Sequence, residues 1–135
     1  MGTSIERHGS GGPFEETVGY SRVVRAGDHV WVAGCTALSE DGVVLGPGNA
    51  YVQTQATLEA VGRALAQVGA GFEHVVRTRM YVVDMDRWED VTRAHGEVFG
   101  DIRPASAIVE VSRLLDQRML VEIEVDAFVT DATTP

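Results

Sequence analysis

Along Leu120-Val-Glu-Ile-Glu-Val-Asp126 the chain alternates, placing Val121, Ile123, Val125 and Ala127 on one face and Glu122, Glu124 and Asp126 on the other, because successive strand side chains point to opposite sides of a sheet. Three acids facing one way cannot simply be buried, so that face is either open to water or borders a polar site. The run from Arg103 to Leu114 reads as a neighbouring strand. Val75 to Val83 alternates as well, with Val76, Thr78, Met80 and Val82 opposed to Arg77, Arg79 and Tyr81. Ser21 to Val24 and His29 to Gly34 are rich in β-branched and aromatic residues and flank Ala26-Gly27-Asp28, the form of a hairpin. A turn at Glu40-Asp41-Gly42 precedes Val43 to Leu45, a candidate third strand, and Gly46-Pro-Gly-Asn49 then breaks the pattern.

Two segments carry the helical period instead. Leu58, Val61, Leu65 and Val68 recur at three- and four-residue spacing, with Gly69 placed to stop the helix. Asp86-Arg-Trp-Glu89 has the form of a capping box and starts a second helix, on which Trp88, Val91, His95 and Val98 share a stripe. The resulting order predicts an α+β fold, a mixed β-sheet with both amphipathic helices on one face. The other face, with Val75, Tyr81 and Phe128 among acids, is then uncovered. A symmetric oligomer would close it, and subunit contacts would help to build any pocket.

Composition narrows the functional classes. A chain of 135 residues with 44% hydrophobic and 23% charged residues has the size and balance of a single domain, expected over residues 1–135 with flexible ends at about 1–13 and 131–135. The net charge of −9 argues against nucleic acid, whose sequence-independent binding needs clustered Lys and Arg. Cys35 is the only cysteine, which excludes an internal disulfide. No apolar run approaches the ~20 residues that span a bilayer, and the amino terminus lacks the apolar stretch of a signal peptide. No membrane association and a cytoplasmic location are expected. His8, His29 and His74 are scattered without ligand spacing, so no metal site is expected.

Gly19-Tyr-Ser21, His29-Val-Trp-Val-Ala-Gly34, the helix with Gln55, Val75-Val-Arg-Thr78 with Asp84-Met85, Val91, Pro104-Ala105, Val109-Glu-Val111 with Arg113-Leu114, and Val121-Glu-Ile-Glu124 together resemble the Rid family. These are the reactive intermediate deaminases, also called YjgF-like and historically endoribonuclease L-PSP. The resemblance keeps its order over about 110 residues, which makes it more specific than any short motif. It implies a chorismate-mutase-like fold, a homotrimer, small-molecule pockets between subunits, and cofactor-free hydrolysis of reactive enamines or imines to a 2-oxo acid and ammonia.

On that resemblance Tyr20, Gly34 and Glu122 match the family site, with Glu122 holding the hydrolytic water as general base or relay. The residues alone leave open that Glu122 is a structural carboxylate at a subunit boundary, and that Tyr20 is a packed tyrosine with a satisfied hydroxyl. Three other pocket positions depart from the pattern. Ser106 stands where deaminating members carry the arginine that forks onto a substrate carboxylate, Thr92 replaces an asparagine, and Cys35 replaces a glutamine. A serine supplies neither charge nor a bidentate fork. The expected substrate-binding set is therefore Tyr20, Gly34, Cys35, Thr92 and Ser106, acting on a neutral or larger ligand and not on a simple 2-imino carboxylate. Cys35 reads more readily as a small buried hydrophobe than as a nucleophile, since no cation near it is evident. Two functions stay open: a hydrolase of the enamine or imine deaminase type, and a non-catalytic trimeric protein that binds or senses a small molecule. A ribonuclease fits poorly with the acidic balance and the lack of a histidine pair with acid-base spacing.

Overall fold

The computed structural model describes residues 4–130. Its strands are β1 (Ile5–His8), β2 (Val23–Ala26), β3 (His29–Cys35), β4 (Val75–Val82), β5 (Ala105–Glu110) and β6 (Val121–Phe128). The helices are α1 (Glu15–Val18), α2 (Ala50–Gln67) and α3 (Trp88–Phe99). They form one six-stranded sheet in the order β1-β2-β3-β6-β4-β5, antiparallel except for the parallel pair β4 and β5. A parallel pair needs a crossover, and α3 supplies it. The mixed sheet with two main helices is the fold expected from the sequence.

The β2–β3 hairpin closes on Gly27-Asp28, with Ala26 opposite His29, and Gly27 takes φ 61°. A two-residue turn with positive φ at its first position favours glycine there. Asn49 caps α2 by accepting from the Val52 N–H at 3.0 Å, and Gly69, at φ 75°, ends it as the periodicity predicts. Leu58, Val61 and Leu65 on α2 and Val91 and Phe99 on α3 pack onto Val32, Met80, Val82, Val121, Ile123 and Val125 of the sheet. Full burial of each such side chain contributes roughly 1.5–3 kcal/mol of transfer free energy.

Several local expectations change. Ile5–His8, within the expected flexible end, pairs with β2 as an edge strand; so short a run, followed by glycines, draws its order from the ladder and not from its own propensity. Ser10 and Gly12 of that end are also held, by Glu15, and residues 1–3 and 131–135 of the expected flexible ends lie outside the described residues. Val43 to Leu45 forms only an isolated bridge, Val44 to Leu38. Before α3 the capping residue is Asp84, whose carboxylate accepts from the Asp86 N–H at 3.0 Å, so the turn starts two residues before the capping box expected at Asp86. Trp88 is then turned outward and is 48% exposed. A register shift between Val75 and Arg77 breaks the alternation of β4, burying Val75 and turning Val76 out. On the helix-free face His29 stacks on Trp31 and meets Phe128 edge-on, beside a Tyr81–Glu124 hydrogen bond of 2.6 Å and an Arg79–Asp126 pair at 3.2 Å.

Candidate functional site

The site is made by an irregularity in β3. Val32 pairs with Val125 and Cys35 with Ile123, so two residues, Ala33 and Gly34, oppose Glu124 alone. Such a bulge adds one residue to one strand and shifts its phase, and Cys35 consequently joins Val30 and Val32 in the core. It also directs two successive carbonyls at one partner. Arg22 Nη1 donates to Gly34 O at 2.6 Å and Ala33 O at 3.1 Å, and lies 3.4 Å from Cys35 Sγ. Its Nη2 donates to the Tyr20 hydroxyl at 3.1 Å, and the guanidinium lies 5.4 Å from the Tyr20 ring centre. Gly34 is needed here for space: a Cβ would fall 2.8 Å from Glu122 Cδ. The bare backbone lets the Glu122 carboxylate rest on the strand.

Two further segments complete the walls. The Glu15 carboxylate accepts from the Ser10 hydroxyl at 2.6 Å, the Ser10 N–H at 3.0 Å and the Gly12 N–H at 3.2 Å, and lies 3.8 Å from Arg22 Nε. Burial works against its charge, yet the Ser10 and Gly12 donors and Arg22 hold it below the usual carboxylate range. This folds residues 10–14 against the cleft. On another side, the fully buried Gln53 of α2 donates to Arg118 O at 3.1 Å and accepts from the Leu120 N–H at 2.8 Å. The loop it anchors is also braced by Arg118, which forks onto Asp116 at 2.7 and 3.0 Å and holds that carboxyl at about 2. Together these elements enclose a cleft of about 370 Å³, lined among others by Tyr20, Arg22, Gly34, Cys35, Arg63 and Glu122.

Glu122 is the cleft carboxylate whose titration burial shifts upward. Burial raises its pKa first and the charge of Glu124 raises it further, while Arg22 opposes both. A half-buried carboxylate with a raised pKa is a better proton acceptor than an exposed one and can also return the proton. Cys35 lies beside it but is 3% exposed; burial pushes its thiol up despite the opposing charges of Arg22 and Arg63. The thiol donates to Ala33 O at 3.4 Å. A cation near Cys35, not evident in the sequence, therefore exists without producing a thiolate.

Four of the expected site residues, Tyr20, Gly34, Cys35 and Glu122, come together in the cleft, and two do not. Ser106 stands on β5 opposite Thr78, and its Oγ is 2.7 Å from the buried Thr78 Oγ1, which lies 2.8 Å from His95 Nε2. Burial holds His95 below the usual histidine range. Thr92, on α3, turns its hydroxyl back to Glu89 O at 3.4 Å. Arg22 and Gln53 escaped the sequence reading. The signal for Arg22 was a cation at the start of an apolar strand, two residues after Tyr20; Gln53 was a polar residue inside the buried stripe of α2. Among the described residues no group of three or more His, Cys, Asp and Glu is placed to hold a metal ion, and no helix is long and apolar enough to cross a membrane.

Comparison with known proteins gives this geometry a context. The family model described as Endoribonuclease L-PSP matches residues 13–129. An uncharacterized protein of Streptomyces coelicolor is 39% identical over 125 residues, covering 93% of this chain and 92% of its own. The crystal structure of a YjgF/YER057c/UK114 family member from Mycobacterium tuberculosis is 44% identical, covers 93% of this chain and 100% of its own, and superposes with a TM-score of 0.85. The 3-aminoacrylate deaminase RutC of Acinetobacter baylyi is 28% identical over 104 residues, or 77% of this chain and 82% of its own. The chain belongs to the endoribonuclease L-PSP family, that of the Rid or YjgF-like proteins.

Proposed function

We propose that the cleft hydrolyses an enamine or imine of a small metabolite to the carbonyl compound and ammonia. The observation that carries this reading is Glu122, a half-buried carboxylate with a raised pKa seated against Gly34 inside the cleft. An enamine reaches the same reacting carbon after tautomerising to its imine. Glu122 takes a proton from water as the oxygen adds to the carbon of the protonated imine, giving a neutral carbinolamine. Returning that proton to nitrogen lets the C–N bond break as the freed Glu122 carboxylate takes the hydroxyl proton. The iminium plus water thus becomes C=O plus ammonia, and the proton on Glu122 leaves to solvent. Tyr20, held by Arg22 Nη2, orients the ligand through its hydroxyl. The 3-aminoacrylate named for the A. baylyi relative is an enamine of this type.

The substrate in this reading is larger than 2-iminopropionate. Ser106 offers no fork, and its hydroxyl is engaged with Thr78, while a cleft of about 370 Å³ falls in the range that holds drug-sized ligands. The subunits assemble as a homotrimer through the helix-free face, where Trp31 and Phe128 are 45% and 37% exposed. The second reading, a trimeric protein that binds or senses a metabolite without turning it over, is favoured by the same engagement of Ser106.

Ammonia release from 2-aminoacrylate and from longer imines, generated in situ, separates these readings. Activity on the longer imines that drops about a hundredfold or more in Glu122→Gln supports hydrolysis. Ligand binding with no ammonia release in the wild type supports the binding protein. Efficient turnover of 2-iminopropionate, unimproved by Ser106→Arg, would sink the size argument, and sedimentation as a monomer at micromolar concentration would sink the trimer.

A further inference from the structure

The charges lining the cleft are unevenly matched. Arg22 is consumed by the Ala33 and Gly34 carbonyls, the Tyr20 hydroxyl and Glu15, and Asp116 is consumed by Arg118. Arg63 is different. It belongs to α2, lines the cleft and is exposed, and among the described residues no carboxylate lies within ion-pair distance of it. Its helical neighbours on the same wall are Ala60 and Ala64, whose short side chains leave the guanidinium accessible to a ligand. Glu122 lines the same cleft from β6.

We propose that Arg63 is the residue that reads an anionic group on the ligand, and that this group is a carboxylate remote from the reacting carbon. The inference rests on the proposed reaction at Glu122 and specifies its substrate as an elongated enamine or imine acid spanning from the sheet wall to the helix wall. A guanidinium fork matches a carboxylate in geometry. A phosphate dianion suits the cleft less well, since one guanidinium is opposed by Glu122 and Glu40 on the same lining. Glu122 stands on β6 and Arg63 on α2, so the reacting carbon and the carboxylate are assigned to different walls.

Oxo acids mimic the hydrolysis product and probe binding without turnover. Calorimetry with 2-oxopentanoate, 4-oxopentanoate and 6-oxoheptanoate should show affinity rising with the separation of the carbonyl from the carboxylate. The methyl ester of the best binder should bind about ten- to a hundredfold more weakly, the expectation for one charge-assisted contact. Arg63→Gln should bring the acid down to the level of the ester, Arg63→Lys should recover part of the loss, and added salt should weaken the acid but not the ester. Equal binding of acid and ester, an unchanged affinity in Arg63→Gln, tightest binding of 2-oxopentanoate, or no measurable binding of any acid would each overturn the assignment. Ammonia release from long imines, measured beside acid binding in the wild type and in Arg63→Gln, keeps the two readings apart. Arg63-dependent binding without turnover in the wild type would reject the hydrolase alone, whereas turnover of long imines indifferent to Arg63 would reject Arg63 alone.

Discussion

Two polar clusters sit on this sheet, one at the β3 bulge and one where β4 meets β5, and they differ in what their groups have left to offer. At the bulge, Arg22, Gly34 and Tyr20 satisfy one another while the Glu122 carboxylate faces a cleft. Along β4 and β5 the hydroxyls of Thr78 and Ser106 and the His95 ring satisfy one another in a line. Both clusters contain residues at positions a family resemblance marks as functional. The first borders the cleft of about 370 Å³, and neither Ser106 nor Thr78 is among that cleft's lining residues. A polar residue becomes a candidate for chemistry when its hydrogen-bonding capacity is not already spent within the fold.

Substitutions can break this contrast, and the largest effect is expected at Gly34. Gly34→Ala places a Cβ against the Glu122 carboxyl group, so ammonia release should fall as far as in Glu122→Gln, while unfolding stability changes little because the displaced group is the end of a flexible side chain. A Gly34→Ala protein with unchanged turnover would show that Glu122 does not need its seat on the strand. At the other cluster Thr78→Val leaves His95 and Ser106 without their shared partner, at a cost of about 1–3 kcal/mol in denaturant unfolding. Ligand affinity of the cleft should stay the same, and a parallel loss of affinity would join the two clusters into one site.

The pH dependence sharpens the comparison with a smaller effect. Glu122 must be ionised to accept a proton, so the acid limb of kcat/KM should lie above the ordinary glutamate value of 4.5 and disappear in Glu122→Gln. Because Arg22 favours the ionised form, Arg22→Met should move that limb further up. The sign in stability is opposite to that of an ion-paired acid. Between the unfolded value and the raised folded value the native protein holds more protons than the unfolded chain, so this group's contribution falls as pH rises through that window. Chemical denaturation across the window, with and without Glu122→Gln, measures the difference. Smallest of all, Cys35 should alkylate more slowly than free cysteine at pH 8, since burial raises its thiol pKa. Fast modification would mean that the bulge opens.

Much of the fold was legible because period and punctuation agree over β3, β6, α2 and the Gly27 and Gly69 turns. Two features left no trace in the sequence, both where one extra residue shifts the phase of a strand. Neither the β3 bulge nor the shift at Val76 leaves a compositional mark, since either strand reads as β-branched with or without it, yet one directs two carbonyls at Arg22 and the other exchanges Val75 for Val76 in the core. Glu122 was legible as an acid on a polar face. Arg22 was not, because its role depends on carbonyl directions that only the bulge creates. Ser106 was placed near the site through resemblance alone, and its partner Thr78 could be found only from the parallel register of β4 and β5.

The short leader stapled by Glu15 carries a further implication for how such proteins diverge. Ser10 and Gly12 border the cleft and lie just ahead of residues 13–129, which the family model matches. Two proteins with the same shared stretch and different leaders would therefore have different rims around the same Glu122. Ligand preference can drift at the leader while the sheet, the bulge and the acid stay fixed, and exchanging leaders between relatives would transplant a boundary of the pocket without altering its floor.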